Sequence, residues 1–123
     1  MQDKLNWSGL VCWELVFNNT FIERVKGTEF IIHVSNDSWY GSSMPAQHLK
    51  HARARSVESN KWVVRSTTDG LSQIISPQNE QSSKLLNRKE YGSITHTIKT
   101  NTDDTIYLKI GDWPILIFSL LPM

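Results

Sequence analysis

Thiols are all but absent from this sequence: its 123 residues hold a single cysteine, Cys12. One cysteine excludes an internal disulfide framework and leaves too few thiols for a cysteine-rich zinc site. A surplus of either charge is missing too. Lysine and arginine total 13 against 12 acidic residues, a formal net charge of +1. That is too neutral for a protein held to phosphate by a basic field, so no nucleic-acid partner is expected. There is no apolar run of the ~20 residues that span a bilayer. WPILIFSLLPM, at 113–123, reaches about half that length, starting on Trp113, a residue favoured at membrane interfaces. A terminal strand or an apolar contact with a second chain explains such a run equally well. The N-terminal MQDKLNWSGLVCWELV lacks a small-residue cleavage site and does not read as a signal peptide. Internal repeats and low-complexity linkers are also lacking.

What is present suffices for a core. Apolar residues make up 39% and aromatics 10%, the composition of one ordinary domain or a piece of a larger one. WSGLVC (7–12) has strand character. A helix follows through 21–26 and closes at Gly27. EFIIHV (29–34) is short, β-branched and largely apolar, the pattern of a buried parallel strand covered on both faces. SNDSWYGSS (35–43) is a turn-rich loop. Ser42 or Ser43 can cap a helix beginning near Pro45 and ending near Asn60. WVVRST (62–67) and LSQIIS (71–76) flank an Asp-Gly turn, a hairpin signal, and SITHTIKT (93–100) alternates as a half-exposed strand. The order strand, helix, strand, helix, hairpin predicts an α/β layer with a mixed sheet.

The chemistry centres on GLVCWELVF, residues 9–17. A free cysteine at the end of an apolar strand is commonly buried and inert. The functional alternative is a nucleophile exposed by a sharp turn after Val11, with the Trp13 N–H aimed at a developing oxyanion and a helix start near Glu14 favouring the thiolate. Glu14 either supports that site or is a solvated acid in a first helical turn. His48 and His51, three apart on the second helix, form either a surface pair, part of a metal site lacking a visible third ligand, or one half of a cysteine–histidine dyad. Arg53, Arg55 and Arg65 can grip phosphate or carboxylate, or can be solvent-facing ion pairs.

Four motifs stand in order along the chain: C-W-E at 12–14, S-N-D-x-W-Y-G at 35–41, P-x-Q-H-L at 45–49 followed by A-R-x-R, and G-D-W-P at 111–114. Together they resemble the apolipoprotein N-acyltransferases, bacterial inner-membrane enzymes with a nitrilase-type domain. The likeness runs from about Leu10 to Pro114 and covers the C-terminal half of that domain. It implies a partial nitrilase-type αββα sandwich over 1–110 and the start of a C-terminal membrane helix over 111–123. Cys12 takes the place of the family's nucleophile, with Trp13 and Glu14 beside it. Asn36, Asp37, Trp39 and Tyr40 correspond to a segment near the substrate pocket. The implied reaction moves an acyl chain from phospholipid through a cysteine thioester to the N-terminal amine of a diacylglyceryl-cysteine lipoprotein, with no cofactor. The implied location is the inner membrane, with the catalytic domain on the periplasmic side. Asn18, His33 and Thr68 depart from the family pattern. The glutamate base and the oxyanion-stabilising lysine that the family uses lie upstream of its cysteine, and no residue here matches them. The chain therefore reads as a truncated or split product, needing a second chain to complete the site. A soluble nitrilase- or amidase-type hydrolase and a non-catalytic relic are the competing readings.

Overall fold

The computed structural model describes residues 4–39 and 41–121. Its centre is a four-stranded sheet in the order β1 (Trp7–Val11), β2 (Phe30–Asn36), β3 (Val63–Thr68), β4 (Gln73–Ile75). The first three strands are parallel and β4 is antiparallel. This is the mixed sheet predicted from the element order, and the Asp-Gly turn joins β3 to β4 as expected.

Two crossover helices link the parallel strands. Helix α1 (Asn18–Val25) buries Phe21 and Val25, four apart on one face. It stops at Gly27, whose φ of +80° suits glycine. Between β1 and α1, Cys12–Leu15 form a 3-10 turn, so the regular helix begins later than a start near Glu14. Helix α2 (Met44–Ser59) carries Pro45 in its first turn and ends at Asn60, in the left-handed conformation that asparagine tolerates. Ser43 occupies the N-cap position, but its hydroxyl makes no capping bond.

Both helices cover one face of the sheet. Leu10, Ile31, Val63 and Ile75 project from that face into a cluster with Leu15, Phe21, Val25, Leu49, Ala52 and Leu108. The register Leu10↔His33 and His33↔Arg65 puts two polar side chains in the same layer. The opposite face carries Trp7, Val11 and Val34, all exposed, with Ile32, Val64 and Ile74 half-buried. The continuous apolar run of β2 predicted burial on both faces, and the structure covers one.

One expectation fails locally. Residues 93–100 join no sheet. Ile94 and Ile98 are half-buried, so the alternation marks one-sided burial, but the segment pairs with no strand. A short helix α3 (Ile106–Ile110) precedes the C-terminal apolar run, which begins as helix α4 (Trp113–Leu120), and α4 buries none of its residues. Among the described residues no helix is long and apolar enough to cross a membrane.

Candidate active site

Cys12 sits where β1 ends, at the carboxyl end of the parallel strands, the place where open α/β sheets present ligand sites. Its φ is +52°, a left-handed conformation rare outside glycine and asparagine. In an unbroken strand, residue 12 would share the covered face with Leu10, because side chains alternate. The left-handed turn redirects it. Cys12 is half-buried and borders an open depression of about 400 Å³ lined also by Val11, Val34, Asn36, Ser66 and Thr68. A depression of similar size between β3 and residues 86–94 holds no thiol.

The turn is braced from several sides. The Glu14 carboxylate accepts a hydrogen bond from the Val11 N–H (3.1 Å) and lies 3.5 Å from Arg24. Glu14 is thus a local cap on the turn, occupied by its own backbone. Arg55, from α2, donates to the carbonyls of Leu15 and Val16, both at 2.8 Å, and to the side chain of Asn18. Its guanidinium also lies 4.7 Å from the centre of the Phe21 ring.

Beneath Cys12 is a buried polar cluster. Asp37 has no exposed surface. It accepts from Arg65 (3.0 Å) and from the Ser35 hydroxyl (2.6 Å), and its Oδ1 lies 3.2 Å from His48 Nδ1. Arg65 also donates to His33 Nδ1 at 2.8 Å, and the Nε2 atoms of both histidines lie on the Cys12 carbonyl, at 2.9 Å for His33 and 3.2 Å for His48. A guanidinium only donates, so His33 is the neutral tautomer carrying its proton on Nε2. Burial, with Arg65 adding to it, pushes the His33 pKa down to about 4; burial also lowers that of His48.

The predicted site residues separate into three groups. Cys12, Trp13 and Glu14 stay together on the turn, and Trp13 stacks on His48 with ring centres 5.0 Å apart. Asn36, the last residue of β2, and Trp39, on the loop after it, are exposed; Asn36 caps that loop by accepting from the Ser38 N–H and hydroxyl. Tyr40 lies outside the described residues. Asp37 does not line a pocket, because its oxygens are taken inside the protein. His48 and His51 also part company: His48 is buried and His51 exposed. They are about 60° apart around the helix, and the edge of the buried stripe falls between them. Among the described residues no group of three His, Cys, Asp or Glu side chains is placed to hold a metal ion.

Sequence reasoning passed over His33, Asp37 and Arg65 as one cluster. Strand parity held the signal. Ile31, His33 and Ser35 alternate inward on β2, and Val63 and Arg65 do so on β3.

Comparison with known proteins agrees with this geometry. The chain is 35% identical over 113 residues to the apolipoprotein N-acyltransferase of Wigglesworthia glossinidia brevipalpis, covering 90% of this chain and 22% of that protein. The corresponding protein of Shewanella oneidensis is 34% identical over 109 residues (87% and 21%), and that of Pasteurella multocida 35% over 116 (93% and 22%). The chain thus spans about a fifth of the length of these relatives. The carbon-nitrogen hydrolase family profile matches residues 4–107. A cysteine turned out of line at the end of a parallel strand and a profile match over most of the sequence agree: the chain belongs to the carbon-nitrogen hydrolase family.

Proposed function

We propose that this chain is the nucleophile-bearing part of a lipoprotein N-acyltransferase, with Cys12 forming the thioester. The observation that carries the reading is the left-handed φ of Cys12, which turns its thiol away from the covered face toward an open depression. The thiolate attacks the ester carbonyl of a phospholipid, the lysophospholipid leaves as the alcohol, and the acyl group stays on sulfur. The free amine of a lipoprotein's N-terminal diacylglyceryl-cysteine then attacks the thioester. An amide forms and the thiol is released. In this reading Trp13 supports the reacting centre beside Cys12, and Asn36, which lines the depression, and Trp39 take part in binding the substrates.

The glutamate and lysine that this chemistry draws on belong to the other half of a nitrilase-type αββα sandwich, supplied by a second chain or by further sequence. That half would pack on the open sheet face, where Trp7, Val11 and Val34 are exposed. The exposed apolar helix α4 favours a membrane setting, in the inner membrane with the site on the periplasmic side, over a soluble amidase. A relic with an inert cysteine would not need the thiol turned outward.

The test is co-expression of residues 1–123 with the upstream part of a full-length relative that lacks its own C-terminal fifth. Acylated lipoprotein should appear with the wild-type chain and disappear with Cys12→Ser. Transfer that survives Cys12→Ser would refute the assignment.

A further inference from the structure

We propose that His33 and His48 are positioning residues that hold Cys12 in its left-handed conformation by gripping its carbonyl oxygen, with Asp37 and Arg65 setting the direction of both rings. The inference rests on the reading of Cys12 as nucleophile and adds a device to it. The two histidines come from different elements, His33 from β2 and His48 from α2, yet both reach the same oxygen. Their rings meet edge to face, with centres 5.1 Å apart.

Proton accounting gives the two rings different parts. His33 has one possible arrangement: Nδ1 accepts from Arg65, so Nε2–H must point at the Cys12 carbonyl. It is a fixed donor. His48 faces an acceptor at each end, the Asp37 carboxylate at Nδ1 and the Cys12 carbonyl at Nε2. With one proton it serves one of them; with two it serves both. The groups facing it are Asp37, Arg65 through Asp37, His33, the Cys12 carbonyl and the Trp13 ring. Asp37 is itself pinned from the backbone: a Cβ at Gly70 would stand 2.6 Å from its Oδ2, so a glycine is what allows the β3–β4 turn to close over it. The chain thus fixes the carboxylate, the carboxylate and guanidinium fix the rings, and the rings hold the carbonyl.

The reason for gripping that carbonyl is strain. A non-glycine residue in the left-handed region costs about 1 kcal/mol or more and persists where its surroundings over-determine it. Without the grip, Cys12 relaxes toward the extended conformation of β1. Alternation then swings the thiol inward beside Leu10.

The experiment uses the 123-residue chain, whose one thiol makes alkylation by iodoacetamide unambiguous. The second-order rate is measured in the native state beside the thermal midpoint. His48→Phe keeps a ring against Trp13 and loses both polar contacts. His33→Leu removes the fixed donor, whereas His33→Gln can accept from Arg65 and donate to the carbonyl. His48→Phe and His33→Leu should alkylate about tenfold more slowly, the scale of one lost hydrogen bond, at temperatures well below their own melting transitions. His33→Gln should stay within about twofold of the wild type. Should His33→Leu fail to fold, the pair His48→Phe and His33→Gln decides. Wild-type rates in folded variants would overturn the grip and leave the nucleophile reading standing. Rates that track melting in all three, the glutamine variant included, would make the cluster structural alone. A wild-type thiol that is silent until denaturation would overturn both readings.

Discussion

His33 is the residue whose protonation the fold opposes most clearly. Its ordinary pKa of 6.5 drops to about 4, chiefly because burial penalises the cation and secondarily because Arg65 is adjacent. The unfolded chain takes up this proton near pH 6.5, and the folded chain resists it until about pH 4. Stability is therefore full above pH 6.5, declines as pH falls, and has lost roughly 3 kcal/mol from this group below pH 4. His48 shifts in the same direction. Urea titrations at pH 7.5, 5.5 and 4 should show this decline in the wild type and a shallower one in His33→Gln; parallel curves would count against it. Gly70 offers a second test. Its backbone lies so close to Asp37 that a Cβ would meet Oδ2 at 2.6 Å and Thr67 Oγ1 at 2.8 Å. Gly70→Ala should cost about 2 kcal/mol by overpacking, readable as a lower denaturant midpoint with an unchanged slope.

Among the elements, α2 does most to shape the site. The buried stripe His48, Leu49, Ala52, Arg55, Ser56 and Ser59 lies along one side of the helix. From it His48 reaches the start of the cysteine turn and Arg55 its end, so one rigid helix registers both ends of a four-residue turn. Arg55→Met leaves the Leu15 and Val16 carbonyls without their donor and frees Tyr107 and Glu58. A loss of about 3 kcal/mol is expected, measured by thermal or urea unfolding; a loss under a third of that would show that water replaces the guanidinium. Lys61 performs a similar service for the irregular segment before α3. Its fully buried ammonium donates to the Asn101 carbonyl at 2.8 Å and sits 3.6 Å from Asp104. That anchor explains how residues 101–105 follow a defined path without joining the sheet.

For the whole molecule, the decisive feature is the asymmetry of the sheet. One face is covered by helices and the other presents Trp7, Val11 and Val34 to solvent. Apolar surface of this kind on a sheet invites a partner layer or self-association. Replacing Val11 and Val34 together by lysine should reduce self-association in light scattering while changing stability by about 1 kcal/mol or less, because both side chains are already half out. The same double variant should fail to support acyl transfer in the co-expression test. Unchanged self-association would mean that the exposed helix α4, and not the sheet face, is the adhesive surface.

How much of this was legible follows from the physics each feature uses. The strands and helices, the mixed sheet and the candidate nucleophile rest on local information: apolar periodicity, Pro45 at a helix start, Gly27 at a helix end, the Asp-Gly turn and four ordered motifs. The sequence by itself determined these, because each element and motif is written in neighbours a few residues apart and their order along the chain is read directly. It misjudged 93–100, since alternation reports one-sided burial and not a ladder partner. Only the tertiary structure decided the site's support. His33, Asp37, His48 and Arg65 lie on four separate elements or loops, and their meeting under Cys12 depends on strand register and on the rotation of α2. Charge alone would have placed Asp37 and Arg65 at the surface. It is the pairing of their charges, with Arg65 also bonded to the Leu71 carbonyl and to His33, that lets them be buried beneath the cysteine turn.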